Sequence, residues 1–221
     1  MRGKLIVLEG LDGSGKTTQL TRLGGNLEAD GRAVRRIKLP DYDDDSSALV
    51  RMYLGGAFGE DPEAVNAYAA SAFYAVDRVA HYLRKWRADY LAGQVILADR
   101  YTTSNAYHQL QKLPHAQWDA YLAWLEDFEY AKLELPKPDC VVYLDMPIAV
   151  SQRLMSARYG GDEGKKDIHE ANIRYLTDCR AAALYAADKL GWRVIACADG
   201  DTPRPIADIA DEVRQIVLKE I

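Results

Sequence analysis

Short apolar runs alternate with longer amphipathic stretches along the whole chain. Five runs are short and apolar enough to be buried strands, and the stretches between them carry apolar residues at helical spacing. The predicted strands cover residues 4–9, 33–39, 95–99, 140–145 and 192–197. Apolar strands separated by helices are typical of a parallel sheet that is covered on both faces. The pattern therefore predicts a single α/β domain.

The sequence also marks where several helices begin and end. The first helix starts after the first strand and carries three leucines on one face, although two adjacent glycines inside it each cost about 1 kcal/mol relative to alanine. Asp61 as N-cap and Pro62 at the first helical position predict a long helix that reaches about residue 92. Further helices are predicted between the third and fourth strands, after Pro147, over about residues 168–190 and at the C-terminus.

Composition and charge narrow the functional classes. The 221 residues include 28 lysines and arginines against 33 aspartates and glutamates, a formal net charge of −5. The chain therefore lacks the basic excess of a nucleic-acid coat protein or of a binder of anionic membranes. No stretch reaches the roughly 18 apolar residues of a membrane-spanning helix, and the three cysteines lack metal-ligand spacing. We expect one cytoplasmic domain, residues 1–221, that binds small molecules and neither nucleic acid nor membranes.

Residues 10–17 form the most informative motif. The run Gly-Leu-Asp-Gly-Ser-Gly-Lys-Thr matches the phosphate-binding pattern G-x-x-x-x-G-K-[ST] and lies between a predicted strand and a predicted helix. In such a loop the backbone N–H groups and the helix N-terminus converge on phosphate oxygens, the lysine reaches the β- and γ-phosphates, and the threonine hydroxyl serves Mg²⁺. An ordinary glycine-rich turn is the alternative, but motif and context together favour phosphate binding. The residues assigned to ATP are Gly10, Gly13, Ser14, Gly15, Lys16, Thr17 and Thr18.

Two predicted strands end in an acid of the kind that organises Mg²⁺ at a phosphate site, Asp99 and Asp145. Asp99 is followed by Arg100, and a carboxylate beside a guanidinium suits a site for phosphate and metal. Asp145 is followed by Met-Pro, where an acid can simply begin a helix. We therefore favour Asp99, together with Thr17, as the metal ligands.

Two further clusters have both a chemical and a structural interpretation. Tyr74 and Arg78 lie four apart on a predicted helix, so that the ring can stack on a planar base while the arginine hydrogen-bonds its edge. Spacing alone favours a core tyrosine beside a solvated arginine. Arg153, Arg158 and two lysines flank a glycine pair at 160–161, a pattern typical of a lid that closes over transferring phosphates. For the lysines, a solvated charged loop is the favoured interpretation.

At the level of whole segments the chain resembles the thymidylate kinase family of P-loop nucleoside monophosphate kinases. The matching segments are residues 8–19, 39–42, 99–104, 138–139, 144–147 and 153–170. The resemblance implies a three-layer P-loop kinase fold, with a five-stranded parallel sheet, helices on both faces and a short lid at approximately residues 153–170. It also implies Mg²⁺-dependent transfer of a phosphoryl group from ATP to dTMP, with ATP and Mg²⁺ as cofactors, and it is compatible with a homodimer.

The resemblance also carries roles over to residues on the acceptor side. It implies that Asp12 meets the deoxyribose hydroxyl, that Tyr74 stacks on thymine and that Arg78 reads the base edge. Arg100 would hold the acceptor phosphate with help from Arg51. The full set assigned to the acceptor is Asp12, Arg51, Tyr74, Arg78, Arg100, Ser104 and Gln109.

The catalytic arginine follows from a division within that family, whose members carry it either in the phosphate-binding loop or in the lid. Gly13 and Ser14 leave no arginine in the loop, so the resemblance implies the lid form, with Arg153 and Arg158 as candidates. The catalytic residues implied are Lys16, Asp99, Arg100, Arg153 and Arg158.

Two departures from the family pattern affect the acceptor site. The second strand ends in Leu-Pro-Asp-Tyr, where the family commonly carries an acid–arginine or arginine–acid signature, and this leaves one acceptor-phosphate contact unassigned. The glutamine that usually lies near thymine is either Gln109 or displaced.

Two other functions remain as alternatives, in this order. The first keeps the fold and changes the acceptor to another deoxynucleoside monophosphate or to a deoxynucleoside. The second is a nucleotide-dependent switch or binding module, but a GTPase switch would show Asn-Lys-x-Asp for guanine, and the sequence does not contain it.

Overall fold

Five parallel strands form the central sheet of the computed structural model, which describes residues 2–59, 61–158 and 173–221, with the backbone alone at 62, 157 and 158. The strands follow the spatial order β2-β3-β1-β4-β5. They are β1 Lys4–Glu9, β2 Val34–Lys38, β3 Val95–Asp99, β4 Cys140–Asp145 and β5 Arg193–Ala196. The five predicted strands are confirmed, although β2 and β5 are each shorter by one residue at either end.

Helices lie on both faces of this sheet, as the pattern predicted. Those in the described residues are α1 Lys16–Ala29, α2 Ala48–Leu54, α3 Ala67–His81, α4 Arg87–Leu91, α5 Asn105–His108, α6 Trp118–Glu126, α7 Ile148–Arg158, α8 Ile173–Leu190 and α9 Ile206–Val217. Two segments are π-helical, Tyr82–Trp86 between α3 and α4 and Asp127–Lys132 after α6. A small hairpin of β6 Ala198–Asp199 and β7 Thr202–Pro203 was not predicted. Most of the predicted lid, residues 159–170, lies outside the described residues.

Side chains of each strand alternate between two apolar layers, because successive residues of a strand point to opposite faces. On one face, Ile6 and Leu8 of β1 belong to a cluster with the leucines of α1 and with Val213 of α9. On the other face, Leu5 and Val7 belong to a cluster that includes residues of α4, α6 and α8. The three layers of the fold are thus helix, sheet and helix.

The long helix predicted from Asp61 begins later than the sequence indicated. Asp61 caps only a single 3₁₀ turn, in which its carboxylate accepts from the N–H of Glu63 at 2.9 Å. Val65 then adopts an extended conformation, which interrupts the helix, and the side chain of Asn66 caps α3 by accepting from Ala69 N–H at 2.9 Å. The helix then continues through the π-helical turn into α4 and ends at Leu91, close to the predicted end.

The register of the sheet brings the ends of three strands together at one edge. Leu8 of β1 pairs with Asp99 of β3, and Lys38 of β2 also pairs with Asp99. β1 and β3 are neighbours, but the connection after β1 leads to β2 and the connection after β3 leads to β4, in opposite directions across the sheet. Crevices for ligands form at such positions, outside the carboxyl ends of the strands.

Two observations bear on the expectations from composition. Cys140, Cys179 and Cys197 are free and buried, as isolated packing residues are. Within the described ranges, no helix combines the length and the apolar character that crossing a bilayer demands.

A pair of substitutions tests the assigned core. Ile6→Ala should lower the free energy of unfolding by about 2–5 kcal/mol, because it removes fully buried carbon atoms and leaves a cavity between β1 and α1. Leu91→Ala, at a side chain that is 58 % exposed, should change that free energy by no more than about 0.5 kcal/mol. Urea unfolding followed by circular dichroism measures both values, and similar losses in the two variants would contradict this assignment.

Candidate nucleotide-binding site

A cavity of about 800 Å³ opens at the carboxyl edge of the sheet, where the chain leaves β1, β2 and β3. The predicted site residues that line it are Asp12, Gly13, Gly15, Lys16, Thr17, Thr18, Arg51, Tyr74, Arg78, Asp99, Arg100 and Ser104. Lys38, Asn105 and His108 also line it, and the sequence had assigned them no role. One cavity therefore joins most of the residues expected for ATP to most of those expected for the acceptor.

The loop between β1 and α1 requires glycine at two positions. Gly13 has a φ of +80°, and a Cβ atom there would lie 2.8 Å from the carbonyl oxygen of Ser151. Gly15, directly before α1, has a φ of +89°, and a Cβ atom there would meet only open space. The N-terminus of α1 is therefore accessible to an anion, as a phosphate-binding loop needs.

Lys16 is folded over its own loop. Its Nζ donates to the carbonyl oxygens of Gly10 at 2.9 Å and Leu11 at 3.0 Å. Burial of the ammonium, reinforced by the charge of Arg100, lowers the pKa of Lys16 to about 8. In the same loop, the buried Ser14 Oγ has no hydrogen-bond partner among the described residues. A phosphate group fits this loop at Lys16, since its charged oxygens would give the ammonium stronger acceptors than the backbone carbonyls.

Thr17 and Asp99 meet at the start of α1 and the end of β3. Thr17 Oγ1 donates to Asp99 Oδ2 at 2.7 Å, and both residues line the cavity. Hydroxyl and carboxylate oxygens are the ligands that Mg²⁺ prefers, and Mg²⁺ at phosphates usually takes only one or two protein ligands beside water and phosphate oxygens. The described residues hold no group of three or more His, Cys, Asp or Glu side chains that would form a fuller metal site. This pair therefore fits a nucleotide-bound Mg²⁺.

Asp145, the other acid considered for Mg²⁺, is used elsewhere. Its carboxylate accepts two hydrogen bonds from Arg180 of α8, at 2.6 and 2.7 Å, and it does not line the cavity. The two residues form a bidentate ion pair that joins β4 to α8. Asp99 lines the cavity and Asp145 does not, which supports the choice of Asp99 for Mg²⁺. The structure gives Asp145 an ion pair with Arg180 in place of the helix-capping role considered from the sequence.

Arg100 lies between the phosphate-binding loop and the acceptor side. Its backbone has a φ of +70°, a strained conformation for a residue with a side chain. Nη2 donates to Asp12 at 2.6 Å, and Nη1 donates to Tyr107 Oη at 2.9 Å. Burial raises the pKa of the Asp12 carboxyl, but Arg100 and Lys16 together hold it well below its usual range. The site thus holds an ionised acid and a fixed guanidinium side by side.

Glu9 is a site residue that the sequence analysis missed. Its carboxylate is fully buried and accepts from the hydroxyls of Thr103 at 2.7 Å, Ser104 at 2.9 Å and Tyr107 at 2.8 Å. Since Tyr107 also receives a hydrogen bond from Arg100, Glu9 supports the position of that guanidinium. An acid that ends an otherwise apolar strand, directly before the first glycine of the motif, was the signal available in the sequence.

Tyr74 and Arg78 both face the cavity from α3. The ring of Tyr74 lies edge-on to Tyr53, with centroids 6.4 Å apart. Arg78 is not the solvated arginine of the plainer interpretation, because its side chain is 3 % exposed and forms an ion pair with the fully buried Glu129. The interpretation as a solvated arginine beside a core tyrosine is therefore wrong for Arg78.

Asp41, in the segment that departs from the family signature, stabilises the loop after β2. Asp41 pairs with Lys85 Nζ at 2.5 Å and lies 3.5 Å from His81 Nε2, and its backbone N–H donates to Asp77. The hydrogen bond from Lys85 lowers the pKa of Asp41. Because Asp41 does not line the cavity, the missing phosphate contact does not come from this position. Arg51 lines the cavity nearby, and its Nη1 donates to the same loop.

Four of the predicted site residues that the structure describes do not line the cavity: Gly10, Ser14, Gln109 and Arg153. Gly10 and Ser14 still belong to the phosphate-binding loop, whereas the other two lie elsewhere. Gln109 is fully buried and does not line it, because α5 ends at His108 and the chain turns into a 3₁₀ helix that carries this side chain into the interior. Asn105 lines the cavity in that region instead. Arg153 is exposed on α7, and its Nη2 donates to the carbonyl oxygen of Asp201 at 2.5 Å. The side chain of the second lid candidate, Arg158, lies outside the described part of the chain.

Comparison with known proteins identifies the family independently of this geometry. The family model described as Thymidylate kinase matches residues 8–202. The chain is 33 % identical over 217 residues to a thymidylate kinase of Mycobacterium tuberculosis, a match that covers 93 % of this chain and 97 % of that protein. It is 36 % identical over 219 residues to a thymidylate kinase of Solidesulfovibrio magneticus, covering 97 % and 98 %.

A solved structure shares the fold. The thymidylate kinase of Candida albicans superimposes with a TM-score of 0.71 at 22 % identity, over 99 % of this chain and 92 % of that one. The sequence matches span nearly the whole of both relatives, and the family model spans most of the chain. The chain therefore belongs to the thymidylate kinase family.

Proposed function

We propose that the chain transfers the γ-phosphoryl group of ATP to dTMP and releases dTDP and ADP. The observation that carries the proposal is the single cavity that joins the phosphate-binding loop to Tyr74 and Arg78. A donor phosphate and a planar acceptor base can occupy that cavity together, with Arg100 between them. Membership of the thymidylate kinase family supports the choice of dTMP among planar acceptors.

The donor side binds phosphate through the loop and Lys16. On binding, Lys16 Nζ exchanges the carbonyl oxygens of Gly10 and Leu11 for phosphate oxygens, which are stronger acceptors because they are charged. Thr17 and Asp99 would hold Mg²⁺, and the charge that this ion supplies would be neutralising at the phosphates. Phosphoryl transfer needs little covalent help from a protein, so this positioning and charge neutralisation account for catalysis.

The acceptor side binds through Arg100 and the aromatic ring. Arg100 Nη2 donates to Asp12. An acceptor phosphate would accept hydrogen bonds from the guanidinium in place of Asp12, and Asp12 would then be free to accept from a sugar hydroxyl. Tyr107 and Glu9 hold the guanidinium from the other side, so its position is set before the substrate arrives. Tyr74 would stack on the base, and Arg78 would donate to its edge.

An acceptor panel tests this function. In a coupled assay of ADP release with MgATP, dTMP should be the best acceptor, dUMP weaker and purine monophosphates poor, because Arg78 and Tyr74 read a small planar base with a matching edge. Lys16→Ala should lower turnover by about 10²-fold or more, on the scale expected for losing one preorganised charge contact. Its circular dichroism spectrum should match that of the unmodified protein, because Lys16 bonds only within its own loop.

The acceptor panel separates the alternatives. A preference for dGMP or for unphosphorylated thymidine would replace dTMP as the substrate while keeping the kinase activity. ATP hydrolysis that no acceptor accelerates would favour a nucleotide-dependent switch. Lys16→Ala activity within a few-fold of the unmodified protein would overturn the assignment of the phosphate-binding loop.

The lowered pKa of Lys16 predicts a pH dependence. Because the protonated ammonium binds phosphate, kcat/KM for ATP should fall as the pH rises through about 8, the pKa of Lys16 in the free protein, approaching about tenfold per pH unit above it. Bound phosphates favour the charged ammonium, so kcat at saturating ATP should stay level to higher pH. Profiles measured at constant ionic strength test both statements. A kcat/KM that stays level to about pH 9.5 would contradict them.

The two lid arginines should differ sharply. Arg153→Ala should keep kcat within about threefold, because its guanidinium is bound to the Asp201 carbonyl and lies away from the cavity. We propose that Arg158 is the arginine that neutralises the transferring phosphoryl group, and Arg158→Ala should then lower kcat by about 10³-fold or more. Single-turnover kinetics on the two variants make the comparison. A large loss in Arg153→Ala with near-normal turnover in Arg158→Ala would reverse the assignment.

We also propose that the chain works in the cytoplasm as a homodimer. Three buried free cysteines suit a reducing compartment. Exposed apolar side chains on the packed helices α2 and α3, Leu49, Met52 and Val76, support the pairing of two copies, since exposed apolar surface marks sites of association.

A further inference from the structure

Glu129 is a fully buried acid whose position the proposed transfer leaves unexplained. It lies in the π-helical segment Asp127–Lys132. Short π-helical segments often occur at functional sites. Its carboxylate accepts from Arg78 Nε at 3.2 Å, from Arg78 Nη2, and from Asn105 Nδ2 at 3.4 Å. All three nitrogen atoms donate hydrogen bonds, so the carboxylate serves as an acceptor for each of them.

The ion pair is a poor candidate for a purely stabilising contact. Removing two charges from water costs free energy that their attraction only partly returns, and apolar residues of similar volume often serve as well. What a bidentate pair does provide is geometry, because two parallel hydrogen bonds fix the plane of the guanidinium. Glu129 therefore acts mainly on the orientation of Arg78.

The two hydrogen bonds leave one nitrogen of the arginine fork for another partner. Nε and Nη2 are bound to Glu129, and Nη1 has no protein acceptor in the described residues. Arg78 also lines the cavity, on the same helix as Tyr74 and one turn away. A guanidinium carries donors only, so Nη1 offers N–H groups to a base and cannot accept.

We propose that Glu129 is a positioning residue that determines base specificity through Arg78. By holding Nε and Nη2, it leaves Nη1 as a hydrogen-bond donor in a fixed position. That donor favours substrate bases with a carbonyl oxygen at the facing edge and disfavours bases with an amino group there. Among pyrimidines, thymine and uracil carry the carbonyl, whereas cytosine carries the amino group. Two donors facing each other leave a buried polar group unpaired, which penalises the amino base strongly. This inference rests on the proposed function, because it assumes that Tyr74 and Arg78 bind the acceptor base.

Glu129→Gln is the direct test, since the side chain keeps its size and loses its charge. Its amide can accept from one arginine nitrogen but turns an N–H₂ toward the other, so the guanidinium plane is no longer fixed. KM for dTMP should rise about tenfold while kcat changes less than about threefold, which indicates lost binding with the chemical step intact. The ratio of kcat/KM for dTMP over dCMP should fall at least about tenfold, and KM for ATP should stay the same.

Two further variants test whether Glu129 orients the guanidinium of Arg78 or only stabilises the fold. Arg78→Lys keeps a cation for Glu129 but replaces the fork with one nitrogen, so it should lose the dTMP preference to a similar extent even if Glu129→Gln folds poorly. In an Arg78→Ala background, adding Glu129→Gln should leave kcat/KM for dTMP within about twofold, because Glu129 acts only through Arg78. A matched control is Asp145→Asn, which breaks the bidentate pair with Arg180 away from the cavity and should keep the dTMP to dCMP ratio.

The outcomes distinguish this proposal from the proposed function. If the unmodified protein prefers dTMP and either a folded Glu129→Gln or Arg78→Lys keeps its ratio over dCMP, the role of Glu129 is overturned and the kinase function stands. If the unmodified protein rejects dTMP but prefers another carbonyl base, and Glu129→Gln removes that preference, the acceptor was wrong and the role of Glu129 stands. A loss of the ratio in Asp145→Asn equal to that in Glu129→Gln would show general destabilisation and overturn the proposal.

Discussion

The parallel pairing of β1 with β3 is the constraint on which the site depends. It sets Leu8 beside Asp99, and the N–H of Arg100 donates to the Leu8 carbonyl at 3.2 Å as the ladder ends. The first turn beyond β1 is then the phosphate-binding loop, and the first residue beyond β3 is Arg100. A slip of one residue would turn each β3 side chain to the opposite face, and Asp99 would no longer reach Thr17. The residues proposed as metal ligand and acceptor arginine are therefore fixed, together with the phosphate-binding loop, by backbone hydrogen bonds.

Three cations of the site, Arg100, Arg78 and Lys16, have hydrogen-bond acceptors within the protein before any nucleotide binds. Arg100 is held by Asp12 and by the Tyr107–Glu9 pair, Arg78 is held by Glu129, and Lys16 lies on backbone carbonyls. Each cation therefore has acceptors that fix its position, and an acidic chain with a net charge of −5 can still present cations to phosphate. The acceptors differ in how readily a ligand displaces them. Backbone carbonyls and the partly exposed Asp12 can give way to phosphate, whereas the buried Glu9 and Glu129 cannot leave.

Local patterns predicted the fold well, and long-range contacts explain what they left out. The strands were readable because burial on both faces makes them apolar along their length, and the phosphate loop was readable because its chemistry requires glycines at fixed spacing. The pairing of Arg78 with Glu129 joins residues 51 positions apart, and that of Asp41 with Lys85 joins residues 44 apart, so neither leaves a periodic signal. The start of α3 was misplaced because Asp61 and Asn66 are both good caps, and only the extended Val65 decides between them. Gln109 was expected near the acceptor but lies outside the cavity, because α5 ends at His108 and the chain then turns into a 3₁₀ helix.

The acid at position 41 changes how the acceptor phosphate can be held. Asp41 and Asp44 share Lys85, whose pKa their carboxylates raise, and the backbone N–H of Asp41 is bound to the buried Asp77. The loop after β2 is thereby fixed to the helix that carries Tyr74 and Arg78. In the proposed complex the phosphate contact would fall mainly on Arg100, whose side chain is held by Asp12 and Tyr107 and whose backbone is strained. A strained backbone persists only where surrounding contacts hold it in place. Here the buried Glu9 carboxylate accepts from Tyr101 N–H and from the hydroxyls of Thr103 and Tyr107, and these hydrogen bonds hold the segment directly after Arg100.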